Sequence, residues 1–250
     1  MAGRNSGEQL SLTFRTHGGR RTGAGRPRKK SAGVPHLVRP KLSLHHPVHV
    51  TLRVAREPSN PAGGVAACRA IQSLRGSAMF RSIRKALAAG RNRFGFRLVH
   101  FSVQRDHLHL LAEANERRAL SRGMQGLAIR VAKAVNRRLR RHGTVFGDRY
   151  HAHVLRTPRE ARSALRYVLS NVRKHGRGAS HLPEGFIDGC SSAAWFDGWN
   201  RPLELCFGGA RTPPRAAPPV IAPRTWLLCV GWLRAGPLLD PDESPRRPID

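Results

Sequence analysis

Two apolar segments follow one another with three polar residues between them. Phe96 to Val103 reads FRLVHFSV, Gln104-Arg105-Asp106 intervenes, and His107 to Glu113 reads HLHLLAE. Short runs rich in Val, Leu and Phe are strands, and so brief a polar connection suits a hairpin or short loop between antiparallel neighbours. A pair this apolar belongs in the centre of a sheet, so the rest of the chain must supply flanking strands and covering helices.

The flanking elements are set by periodicity. VHVTLRV from Val48 alternates as a half-buried strand, and Pro and Gly at 58 to 64 interrupt the chain after it. From Ala78 to Ala89, Phe80, Ile83 and Leu87 share one helical side while Arg81, Arg84 and Lys85 lie on the other, and Gly90 comes next. A longer helix is predicted over Arg117 to Arg141, striped by Leu127, Val131 and Val135, and a fourth extended segment over Thr144 to Arg156. Thr157-Pro158-Arg159-Glu160 is a capping box with Pro at the first helical position, so a last helix begins at Pro158. Its stripe is Ala161, Leu165, Val168 and Val172, and His175-Gly176 stops it. The order strand, helix, strand, strand, helix, strand predicts a ferredoxin-like α+β sandwich, an antiparallel sheet with its helices on one face. The folded domain is expected over 41–180, after a disordered basic arm over 1–40. A Gly/Pro-rich tail over 181–250, carrying Trp195, Trp199, Trp226 and Trp232, is expected to be partly ordered at most.

The 45 Lys and Arg outnumber the 15 Asp and Glu, leaving a formal charge of +30. That excludes an ordinary neutral metabolic enzyme and points to a polyanion, by default nucleic acid, whose condensed counterions are released when its phosphates are neutralised. Four scattered cysteines form no C-x-x-C pair, so a reducing cytoplasm fits, and the apolar run from Trp226 to Leu233 is too short to span a bilayer. Candidate phosphate contacts are Arg26 and Arg28, in a Gly25-Arg26-Pro27-Arg28 segment like the core of an AT-hook, and Arg130, Lys133, Arg137 and Arg138 on the long helix. A solvated helix face is the plainer account of the latter.

His107-Leu108-His109 places two imidazoles on one face of a strand, a spacing that can hold a divalent cation if a third ligand comes from elsewhere. Tyr167 lies about 120° from the centre of the last helix's stripe, at 100° per residue. Asn171 and Lys174, four and seven residues on, share its ridge. A Tyr hydroxyl beside an amide oxygen is a nucleophile beside a possible ligand, or else a half-buried packing Tyr. His151-Ala152-His153 repeats the His spacing, and His45, His46 and His49 read as packing or phosphate-contacting residues.

These features together resemble the HUH-type single-tyrosine transposases of the insertion-sequence-200-like group, especially the REP-associated tyrosine transposases. The resemblance spans about Pro47 to Gly176, through FRLVHFSVQRDHLHLLAEA and FGDRYHAHVLRTPREARSALRYVLSNVRKHG. It implies that His107 and His109 are metal ligands and Tyr167 is the nucleophile. Asn171 stands where a third ligand commonly comes from, and Lys174 lies at the basic helix end that contacts nucleic acid. Asn171-Val172 departs from the family's usual Asn-Pro. The implied activity is a Mg²⁺- or Mn²⁺-dependent nickase and strand transferase that cleaves and rejoins single-stranded or hairpin DNA through a 5′-phosphotyrosine. A homodimer would be compatible, the Tyr helix serving its own or the partner's histidine pair, and the setting would be the bacterial cytoplasm, near the nucleoid. Two other readings are a catalytically silent DNA-hairpin-binding protein of the same fold and a basic RNA-binding protein.

Overall fold

The computed structural model describes residues 42–55, 71–175, 182–201 and 217–243, and of 174 and 175 the backbone only. The basic arm with Arg26 and Arg28, and the interruption at 58 to 64, lie outside the described residues. Strands β1 (Val48–Arg53), β2 (Asn92–Arg93), β3 (Phe96–Val103), β4 (His107–Ala114) and β5 (His151–Val154) form one antiparallel sheet in the order β2-β3-β4-β1-β5. Without the two-residue β2, this is the ferredoxin-like order. Helix α1 (Ser77–Gly90) carries the chain from β1 to β3 past the antiparallel β4, and α2 (Arg117–Leu139) carries it from β4 to β5 past β1.

The expected α+β class and antiparallel sheet are observed, with one correction to the layers. Helices α1 and α2 cover one face of the sheet. There Met79, Phe80, Ile83 and Leu87 of α1 and Leu120, Met124, Leu127 and Val131 of α2 meet Val48, Val50, Leu108, Leu110 and Ala112. Gly123 lets α2 lie directly on β3, since a Cβ there would fall 2.1 Å from Phe96 Cγ. Helix α3 (Pro158–Leu169) packs against the opposite face, its Ala161, Ala164, Leu165 and Val168 clustering with Val99 and Leu111. The central strands are apolar on both sides, so one helical layer could not have covered them.

A β-bulge makes this two-sided burial work. Leu98 pairs with Ala112 but His100 pairs with Leu111, so Val99 is an extra residue in β3. The bulge reverses the parity of the strand. Phe96 and Leu98 before it, and Phe101 and Val103 after it, all face α1 and α2, while Val99 joins the α3 side.

Residues after 181 complete the second core. Ile187, Phe196, Trp199, Leu227, Leu228, Trp232 and Leu239 surround α3, from segments that include the short helix α5 (Trp226–Cys229). Buried polar contacts fix these segments to the sheet. Glu113 accepts hydrogen bonds from Thr225 N (2.8 Å), Thr225 Oγ1 (2.9 Å) and Arg224 N (2.9 Å), beside Arg97 Nε at 3.3 Å. Asp188 receives two bonds from the Arg75 guanidinium, at 2.7 and 2.9 Å.

His100 belongs to the same seam, its Nδ1 3.2 Å from Ser192 Oγ and its ring edge-on to Phe196. Burial lowers its pKa to about 4, so the folded chain keeps it neutral at neutral pH. An unfolded histidine takes up its proton near pH 6.5, so between about 6.5 and 4 the unfolded state binds more protons and stability falls on acidification. The full loss for one such group is on the order of 3 kcal/mol. His100→Gln keeps a polar partner for Ser192 without titrating. Urea unfolding at several pH values across that window should show a shallower slope for this variant than for the native chain, and parallel curves would refute the assignment.

Candidate active site

Strand β4 presents His107, His109, Leu111 and Glu113 on the face away from α1 and α2, because Leu108, Leu110 and Ala112 are committed to the first core. Register places Thr51 of β1 and Ser102 of β3 on either side of His109. Both are small, which leaves room above the imidazole for a side chain from α3.

His107 and His109 converge as their spacing predicts, with their Nε2 atoms 3.0 Å apart. The other nitrogen of each ring is engaged. His107 Nδ1 lies 2.7 Å from Asp106 Oδ1, and His109 Nδ1 lies 3.1 Å from Thr51 Oγ1 and 3.2 Å from His49 Nε2. With Nδ1–H of each histidine donating to its oxygen partner, both Nε2 atoms carry lone pairs and face each other, an arrangement that can hold a shared cation. Partial burial alone would raise the Asp106 pKa, but the His107 hydrogen bond and charge, with Arg53 nearby, hold it below the ordinary carboxylate range.

Helix α3 brings Tyr167 onto this pair. Its start is set by the capping box: Thr157 Oγ1 accepts from Glu160 N at 3.2 Å, and Glu160 Oε2 accepts from Thr157 N at 2.9 Å. The Tyr167 ring stands edge-on to His109, with centroids 4.8 Å apart, and edge-on to His49 at 5.7 Å. It is buried, where the periodicity predicted a ring beside the core rather than in it. Tyr167 and the histidine pair meet within one chain.

The predicted single ridge of Tyr167, Asn171 and Lys174 is not formed. Helix α3 ends at Leu169, the chain turns at Ser170 and Asn171, and a separate short helix, α4, spans Val172–His175. The break falls at Ser170 and Asn171, residues of low helix propensity, although the apolar stripe continues in phase through Val172. Asn171 is fully buried, and neither Oδ1 nor Nδ2 has a hydrogen-bond partner among the described residues. The side chain of Lys174 lies outside the described ones.

Arg130, Lys133, Arg137 and Arg138 line a groove of about 610 Å³ between α1 and α2, joined by Lys85 and Ser82. This groove is on the opposite side of the sheet from the histidine pair. The arginines of the α3 region are engaged with the acidic C-terminal run: Arg166 with Glu243, Arg173 with Asp242, and Arg162 with the Pro237 carbonyl.

Sequence reasoning did not assign His49, Thr51 or Asp106 to the site. His49 is buried against both His109 and Tyr167, and burial, with His153 and His151 nearby, lowers its pKa to about 4, which leaves it neutral at neutral pH. The alternation in VHVTLR put His49 and Thr51 on one face, but only the β1–β4 register shows that it is the face of His109. His153, of the second His-x-His, pairs in register with His49 and lies 3.4 Å from Glu160 Oε1. Among the described residues no group of three or more His, Cys, Asp or Glu side chains is arranged for a metal.

A sheet face carrying paired imidazoles beneath a helix-borne tyrosine is a candidate metal and nucleophile site. Residues 69–171 match the model of the family described as "Transposase IS200 like", a stretch from before α1 to Asn171. Among curated proteins none matches the chain. A solved structure of a REP-associated tyrosine transposase bound to a REP hairpin is similar at 17% identity, covering 60% of this chain and 81% of that one, with a TM-score of 0.44. Among the described residues no helix is long and apolar enough to cross a membrane.

The capping box also offers a test of how α3 is held. Thr157→Ala should lower stability to urea by about 1 kcal/mol, and Thr157→Ser should restore most of it. Equal stability of all three chains would mean that tertiary packing alone sets the start of the helix.

Proposed function

We propose that the chain is a divalent-metal-dependent transposase that nicks and rejoins single-stranded or hairpin DNA, with Tyr167 as nucleophile. The observation that carries this reading is the facing pair of His107 and His109 Nε2 atoms, 3.0 Å apart, with the Tyr167 ring 4.8 Å from the ring of His109. The match of residues 69–171 to the IS200-like transposase model and the formal charge of +30 support it.

The residues fit a hard divalent cation. Adjacent ligand atoms in an octahedral shell of about 2.1 Å radius are about 3.0 Å apart, the separation of the two imidazole nitrogens. The buried Asn171 amide, without a partner among the described residues, is the candidate third ligand. When bound, Mg²⁺ or Mn²⁺ would supply Lewis-acid polarisation of the scissile phosphate. The chain's own residues do the rest. Asp106 and Thr51 hold the two rings by their Nδ1 atoms, and α3 holds Tyr167 over them. Tyr167 Oη bonds to phosphorus and the bond from phosphorus to the 3′ oxygen breaks. Tyr167 gives up a proton and the departing 3′ oxygen takes one up. The 5′-phosphotyrosine conserves the energy of the phosphodiester, so rejoining needs no nucleotide triphosphate. Arg130, Lys133, Arg137, Arg138, Lys174, Arg26 and Arg28 are proposed to hold DNA through its phosphates.

Purified protein incubated with labelled single-stranded and hairpin DNA should give a covalent adduct on denaturing gels with Mg²⁺ or Mn²⁺ and none with EDTA. Tyr167→Phe and His107→Ala should each abolish it. Hairpin binding without an adduct, in a pool containing the natural flanking repeats, would instead identify a silent DNA-binding protein, and preference for RNA would reject both.

Metal retention can be read without catalysis. Replacing the partner of a ligating imidazole typically lowers metal affinity by roughly 10- to 100-fold, so Asp106→Ala should weaken Mn²⁺ binding to that extent in an electron paramagnetic resonance titration. Unchanged affinity would remove Asp106 from the scheme.

A further inference from the structure

Strands β2 and β3 are joined by Phe94 and Gly95, and both have positive φ, 52° and 77°. A two-residue hairpin turn of this kind normally takes Asn, Asp or Gly at its first position, and a bulky side chain there is sterically disfavoured. Contacts within the fold do not account for the choice. Phe94 is 77% exposed, the most exposed large hydrophobic residue among those described.

The turn is nevertheless anchored. Asn115 N donates to Gly95 O at 3.0 Å, Leu98 N donates to Arg91 O at 2.7 Å, and a Cβ on Gly95 would meet Asn115 Nδ2 at 2.9 Å. An aromatic ring is thus held out from a fixed point. Its surroundings are cationic: Arg91 and Arg93 precede it, and Arg117, Arg118 and Arg122 come after Asn115 at the start of α2, with Glu116 as the acid of that stretch. A flat apolar ring on a turn flanked in sequence by arginines complements a nucleobase and its flanking phosphates better than it does a protein surface.

We infer that Phe94 is a base-stacking side chain that receives one unstacked nucleobase of the bound DNA, with Arg93 and Arg118 on the adjoining phosphates. This inference rests on the proposed action on DNA and adds a second point of contact. The turn lies against Asn115, just beyond one end of β4, and His107 begins the other end. Eight strand residues span about 24 Å. At 3.4 Å per stacked step, the held base lies about seven steps from the scissile phosphate along a straight path. That distance suits a loop or bulge base set back from the cleavage point, and it gives a fixed ruler between the two.

The test is fluorescence anisotropy of labelled hairpin DNAs with the native chain, Phe94→Asn and Phe94→Trp, alongside hairpins carrying 2-aminopurine at one position at a time. Asn suits the positive φ, so Phe94→Asn should fold while losing the stacking surface. It should bind about tenfold more weakly, and Phe94→Trp should bind within about twofold of the native chain. One 2-aminopurine position should change in fluorescence with the native and Trp chains and not with Asn. If the native chain binds DNA and forms adducts while Phe94→Asn binds equally well with no position-dependent signal, the stacking role is overturned and the reaction stands. If the native chain binds no DNA, both fall. If Phe94→Asn instead turns a dimer into a monomer in light scattering, with DNA affinity unchanged, the ring is a self-association surface and the inference is overturned.

Discussion

The pleat of β4 is the constraint on which the rest depends. Leu108, Leu110 and Ala112 are sealed under α1 and α2, so His107 and His109 have one direction left. A slip of one residue would drive both imidazoles into a leucine core and expose the leucines, so register is strongly specified. The neighbours complete the effect. Thr51 and Ser102 flank His109 with short side chains, and the bulge at Val99 lets β3 serve the first core at both ends while giving α3 an apolar contact in the middle. The same alternation thus orients the two imidazoles and makes the space above them.

The cations and the imidazoles are placed on opposite sides of the sheet. A divalent ion beside Lys85, Arg130, Lys133, Arg137 and Arg138 would meet strong repulsion. With packed helix and sheet layers between them, each adding about 10 Å, distance weakens that repulsion. On the α3 side, Glu243 and Asp242 pair with Arg166 and Arg173, which further lowers the positive potential near the tyrosine helix. A chain with a formal charge of +30 can in this way attract a polyanion over one surface while the proposed cation site lies on another.

Local order was largely legible in the sequence. Period-two alternation located β1 and β4, and Thr157 with Glu160 located the start of α3 at Pro158. What escaped was either a one-residue event or a long-range one. The Val99 bulge leaves no compositional mark in FRLVHFSV. Val172 falls in phase with Ala161, Leu165 and Val168, so the stripe runs on through a break that Ser170 and Asn171 impose. His49 and His109 are 60 residues apart, and their meeting depends on strand register, which a single sequence does not display. The tryptophans after 181 have no period at all, because Trp199 and Trp232 fill gaps around α3 from irregular segments.

The break after Leu169 alters what the tyrosine helix can do. Had α3 continued, Asn171 would have ridden one turn above Tyr167 on the same ridge and moved rigidly with it. The turn at Ser170 instead sets Asn171 by the packing of its own segment, where it is wholly buried with its amide unsatisfied among the described residues. An unmet buried amide costs about 1–3 kcal/mol, a cost the fold bears before any ligand arrives. If Asn171 is the third ligand, as proposed, cation binding would relieve part of that cost. Tyr167 packs into the second core with α3, whereas Asn171 follows the turn that ends that helix, so the proposed nucleophile and the proposed third ligand do not share one helical frame.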